Sequence, residues 1–166
     1  MAIGLESDLI ELVKAIPAFN EPILNAFDPP KSINDSEVLA RIGYNRTLQS
    51  IQKPTTVSGF PLPYLTWKGP FNFDEGQTAI GASGTKKVQF WFVCYHQTAT
   101  DAMNWVNDIN AALLALSYPF DLGTFRLTAS LFVNKLPVDS DQIQQTSKEY
   151  PMCAATIGYT FGFQFK

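Results

Sequence analysis

The chain has 166 residues and a formal net charge of −3, with 46% hydrophobic and only 16% charged residues, including 13 Phe. Charge content so far below the usual figure of about 25%, in a chain this apolar, excludes an intrinsically disordered protein. The absence of any strongly basic stretch excludes nucleic-acid binding driven by phosphate neutralisation.

The first predicted element is a helix over about Glu6–Ile16, because Leu5, Leu9, Leu12, Val13 and Ile16 fall on one helical face. Pro17 is expected to stop it. Residues 17–61 carry six prolines. Within them Ser36–Ile42 reads as a short helix capped by Ser36, and Asn45–Val57 as a strand or a loop. Leu62–Lys68 reads as a short strand, with Pro61 and Pro63 at its start. Residues 69–86 form a long polar connection, and loops of that length are often functional.

Lys87–His96 predicts a strand apolar on both faces. Val88, Phe90, Phe92, Cys94 and His96 share one side, and Gln89, Trp91, Val93 and Tyr95 the other. Thr98 is the expected cap of a helix running to about Leu116, with Asp101 completing the box. Its core stripe is Ala102, Trp105, Ile109, Ala112, Leu113 and Leu116. Asn104, Asn107, Asp108 and Asn110 form its polar back, and Tyr118-Pro119 ends it. Thr124–Asn134 alternates as a strand. Lys135–Tyr150 reads as a polar connection, and Met152–Phe165 as a long last strand with Cys153, Ala155, Ile157, Tyr159, Phe161, Phe163 and Phe165 on one face.

Strands and helices do not alternate regularly, so the expected architecture is a single α+β domain over residues 1–166. It would be a mainly antiparallel sheet of about four strands with two amphipathic helices on one face. No run approaches the ~18 apolar residues of a membrane span. The start, MAIGLESDLIELV, lacks the basic and apolar regions of a signal peptide. Cys94 and Cys153 lie in apolar strand-like runs and are read as buried free thiols in a reducing cytoplasm.

Catalytic chemistry finds little support. The one histidine, His96, must carry any Ser-His-Asp or Cys-His arrangement. Cys94 shares its face, but VQFWFVCY offers none of the electropositive, open surroundings that a reactive thiolate needs. One His and two separated Cys give no zinc spacing. Asp74-Glu75 and the Asp139/Asp141 pair read as solvated loop acids, and GQTAIGASG lacks the Lys-Ser/Thr of a phosphate loop. No catalytic residue, cofactor or metal is expected. The surplus aromatics remain, notably Trp67, Trp91 and Tyr95. They belong either to a Phe-rich core or to a second sheet face that meets another protein, since interface cores are aromatic and poor in charge.

Taken in order, an amphipathic helix, a Pro-rich segment ending in LPYLTW, a long loop, and the strand KVQFWFVCY running into the helix TDAMNWVNDINAALLAL precede two strands joined by a polar loop. This order, carried by Pro63-Tyr64, Val88–Tyr95 and Ala102–Leu116 over most of residues 5–165, resembles the tail terminator or tail completion proteins of long-tailed bacteriophages. The resemblance implies a structural virion protein without enzymatic activity, assembled in the host cytoplasm as a homo-hexameric ring. That ring would cap the tail tube protein, stop its polymerisation and meet the head connector or neck protein, while DNA passes through without specific binding. Gln89, Trp91, Val93 and Tyr95 become the candidate subunit interface. Phe71, Phe73, Asp74, Glu75, Asp139, Asp141, Lys148 and Glu149 become the candidate partner contacts. A head completion protein of the same junction, or a small soluble ligand-binding α+β domain, stays open as an alternative.

Overall fold

The computed structural model describes residues 2–44, 63–71, 86–123, 125–138 and 153–165. In these, six strands form one sheet in the order β1-β2-β3-β6-β5-β4: β1 Ile42–Tyr44, β2 Tyr64–Phe71, β3 Lys86–His96, β4 Phe120–Leu122, β5 Phe125–Val138 and β6 Cys153–Phe165. Four helices accompany them: α1 Ala2–Ala15, α2 Pro17–Asn25, α3 Ser36–Leu39 and α4 Ala99–Ala115. The α+β class and the mainly antiparallel sheet agree with the sequence, since only β1–β2 is a parallel pair.

The core sits between the sheet and the helices on one side of it. Phe92, Phe90, Val88 and Cys94 of β3 stand opposite Ile157, Tyr159, Phe161 and Ala155 of β6, and Leu65 and Trp67 of β2 continue the layer. All ten side chains are at most 1% exposed. They meet Leu9, Leu12 and Val13 of α1, Phe19 and Ile23 of α2, and Ala102, Trp105, Val106, Ile109 and Leu113 of α4 in one buried cluster. Strict period-2 alternation on the two central strands put the bulky residues on the covered face. Of the predicted helix stripe, Ala112 and Leu116 are only partly buried, and Val106 takes a fully buried place instead.

Four expectations change. The sheet has six strands rather than about four, because IGY and FDL are three-residue strands, too short for a periodic signal. Besides the two amphipathic helices, the expected short helix at Ser36–Ile42 is present as α3 but ends at Leu39, and α2 is an addition, because Pro17 does not end the helical region. It occupies the first turn of α2, after Ile16 as N-cap, where its fixed φ suits helix initiation and its missing N–H is no loss. Asp35, not Ser36, caps α3, its carboxylate accepting from the Glu37 amide. Residues 135–138, read as part of a polar connection, belong to β5. Leu136, Pro137 and Val138 pair with Thr156, Ala155 and Ala154, and a proline is compatible with a strand that β6 pairs on one side. The Asn45–Val57 segment lies outside the described residues.

Two polar contacts fix the helical layer. The buried Asn20 amide donates to the carbonyls of Val13 (2.9 Å), Lys14 (3.2 Å) and Ile16 (3.2 Å), answering groups that the end of α1 leaves open. The Trp105 indole N–H donates to the Ala18 carbonyl at 2.8 Å. Ala18 is the residue four before Pro22, and Pro22 has no N–H to give it. An indole from α4 therefore stands in for the amide missing inside α2.

Candidate assembly surface

The face of β3 turned away from the helices carries Gln89, Trp91, Val93 and Tyr95, the four predicted interface residues. Their neighbours across the ladders are known from register. Trp91 lies between Lys68 and Gly158, Val93 between Thr66 and Thr156, Tyr95 between Tyr64 and Ala154, and Gln89 opposite Thr160. The structure brings the four onto one surface but separates them by depth. Val93 is 6% and Tyr95 9% exposed, already buried within the chain, whereas Gln89 and Trp91 are half-buried. Burial pushes the Tyr95 phenol up, with the Thr66 hydroxyl opposing it. The Trp91 ring lies against Gly158, where an added Cβ would come within 2.9 Å of the indole Cε3. Gly158 is thus the bed of the Trp91 ring. The other aromatic in question, Trp67, is fully buried on the helical side.

The predicted partner contacts sit on the two long connections. Phe71 is the last residue of β2. Phe73, Asp74, Glu75, Asp139, Asp141, Lys148 and Glu149 lie outside the described residues. The strand ends nevertheless fix where each connection starts and returns. β2 ends near Gln89 and β3 begins at Lys86, opposite Phe163, so residues 72–85 join the sheet at that end. β5 ends at Val138 opposite Ala154, and β6 begins at Cys153 opposite His96, so residues 139–152 join it at the other. Between the two ends run the eleven paired positions of β3 and β6, roughly 33 Å of sheet.

His96 and Cys94 do not assemble a nucleophile and base. Cys94 is fully buried, and burial pushes its thiol well up, the opposite of what an activated thiolate requires. The His96 Nδ1 accepts from the Gln97 amide at 2.9 Å and lies 3.7 Å from Asp101 Oδ2. Asp101 in turn completes the Thr98 cap of α4 as the sequence predicted. The imidazole packs edge-on to Trp105 at 6.4 Å between centroids. Burial lowers the His96 pKa, and Asp101 opposes that. A lowered folded-state value means that the unfolded chain takes up a proton the fold refuses. This contribution to stability is complete above the unfolded value of about 6.5 and is lost as pH falls through the folded one. Urea midpoints of the wild type should therefore fall more between pH 7.5 and 5 than those of His96→Gln; parallel curves for the two would contradict it.

Among the described residues no group of three or more His, Cys, Asp or Glu is placed to hold a metal ion, and no helix is long and apolar enough to cross a membrane. Sequence reasoning missed one unusual side chain: Arg41, read only as part of a short helix, is 4% exposed with its guanidinium carbon over two aromatic rings. Nothing in the sequence around it signals that position, because both rings come from elsewhere in the chain.

No family model and no curated protein matches this chain. Among solved structures it is similar to a chain described as "Virion of native gene transfer agent (GTA) particle", with 11% sequence identity, a TM-score of 0.47, and coverage of 92% of this chain and 97% of that one. A likeness at that level assigns neither a family nor a role.

Proposed function

We propose that this protein is a structural component of a phage-like virion and acts as its tail terminator. It would form a homo-hexameric ring that caps the tail tube, stops its polymerisation and offers the opposite side to the head connector, with no catalytic step and with DNA sliding through. The observation that carries this reading is the attachment of the two long connections at opposite ends of one sheet. A ring between two different bodies needs contacts that point both ways along its axis, and head-to-tail subunit contacts close into a ring when the rotation per subunit allows it. The order of elements that resembles tail terminators supports the same reading. Trp91 and Gln89, the accessible part of the outer face of β3, are the proposed subunit contact.

The test is electron microscopy of the protein mixed with tail tubes from particles that lack a terminator, with light-scattering mass of the free protein alongside. The expected result is a cap at one tube end and a fixed tube length. Trp91→Ala should weaken capping while the fold is retained. Capture by DNA-filled heads instead of tubes would move the protein to the head side of the junction. Failure to bind either would end the assembly reading.

A further inference from the structure

Arg41 is a buried cation that, among the described residues, lies over two rings and makes no ion pair with an acid. It lies between α3 and β1, with its backbone pinned on both sides: its amide donates to the Val38 carbonyl and its carbonyl accepts from the Leu65 amide, each at 3.0 Å. The guanidinium carbon is 4.8 Å from the Phe27 centroid and 5.2 Å from that of Tyr64. Among the described residues Arg41 makes no ion pair, and its Nη1 is buried without a hydrogen-bond partner. The nearby acids are already used. Lys31 pairs with Glu37 and with Asp35 (3.8 Å), and Asp35 also caps α3. Lys31 reaches the same Phe27 ring, at 4.8 Å.

A guanidinium between two rings satisfies its faces through cation–π contact. Its hydrogen bonds are made in the plane, at the edge, and a buried N–H without an acceptor is costly. Arg cannot shed its charge to escape that cost. Contact with the Phe27 and Tyr64 rings restricts the fork, and a restricted fork favours a planar oxyanion bound through two parallel N–H groups. Local charge selects which oxyanion. Lys31 and Arg41 balance Asp35 and Glu37, so a monoanion fits where a phosphate dianion would face two carboxylates. Phe27 belongs to the irregular stretch after α2, beside the exposed Asp28, Pro29 and Pro30, and its ring joins the buried core cluster.

We propose that the edge of the Arg41 guanidinium, between Phe27 and Tyr64, is a binding site for a carboxylate. This does not depend on the role in a tail. The carboxylate is either a free small acid or one borne by a second copy of this chain, and the two sources share the same chemistry.

The experiment uses the full chain at pH 7 and constant ionic strength, with sodium acetate replacing chloride stepwise. The expected result is a saturable rise in melting temperature, roughly 3–6 °C once acetate reaches about ten times its dissociation constant. Arg41→Lys should lose most of it, since an ammonium lacks the fork, and Arg41→Met should lose all of it. NMR spectra of the wild type should show acetate shifting the Arg41 side chain and the Leu65 amide, which keeps the test valid if a variant fails to fold. A chain that self-associates in chloride and is dispersed by acetate identifies a second copy as the source. A monomer that gains the melting shift identifies a free acid. No melting shift in the wild type, an equal shift in Arg41→Met, or phosphate outperforming acetate at matched ionic strength would each overturn the proposal.

Discussion

Trp105→Ala is expected to cost the fold roughly 3–5 kcal/mol, because a large side chain only 2% exposed leaves a cavity among α2, α4 and the sheet. The informative variant is Trp105→Phe. It keeps a six-membered ring but loses the pyrrole part of the indole together with its N–H, so its cost joins a smaller cavity to about 1–3 kcal/mol for the hydrogen bond to the Ala18 carbonyl. That bond spans 87 residues of sequence and supplies the donor that Pro22 withholds from α2. A double-mutant cycle isolates the link. In a Pro22→Ala background the new amide at position 22 can reach the Ala18 carbonyl, so Trp105→Phe should cost clearly less there than in the wild type. Denaturant unfolding of the four proteins measures this. Costs that add within about 0.5 kcal/mol would show the two residues to be independent.

Gly123→Ala is the second large effect. Gly123 turns the chain between β4 and β5 at φ +56°, a left-handed conformation that costs an L-residue about 1 kcal/mol. An added Cβ would also stand 2.1 Å from Oδ1 of Asp8 and 2.5 Å from its Cγ. Asp8 is 8% exposed on α1 and its carboxylate lies against the turn. Overpacking of this kind adds roughly 1–3 kcal/mol, for a total of about 2–4 kcal/mol by urea denaturation. In an Asp8→Ala background the packing part should vanish and the backbone part remain. An unchanged cost there would place the whole effect in the backbone.

These two sites also show why sequence reading reached some elements and not others. The central strands were legible because Val88–Cys94 and Ala155–Phe163 repeat every second residue and bury the repeat. The α4 start was legible because Thr98 and Asp101 meet as a local box. α2 was hidden because two prolines argue against a helix, and the group that makes one of them tolerable is an indole far along the chain. The strands IGY and FDL were hidden because three residues carry no period, and their partners alone make them strands. For the candidate surface, alternation found the right face of β3 but not its depth. Val93 and Tyr95 are buried there in the folded chain, and how much a sheet face is covered depends on tertiary packing, which periodicity does not encode.

The β3–β6 ladder has a mechanical consequence. β3 is entered from the connection at one end of the sheet and β6 from the connection at the other, and they run antiparallel through eleven paired positions. When both connections are gripped by bodies that pull apart, β3 is drawn one way and β6 the other, along their own length. The ladder is then loaded in shear, so its cross-strand hydrogen bonds, which lie perpendicular to the strands, resist together instead of opening one after another like a zip. The central pair of this sheet would behave as a tie rod, with its greatest strength along the line that joins its two attachments.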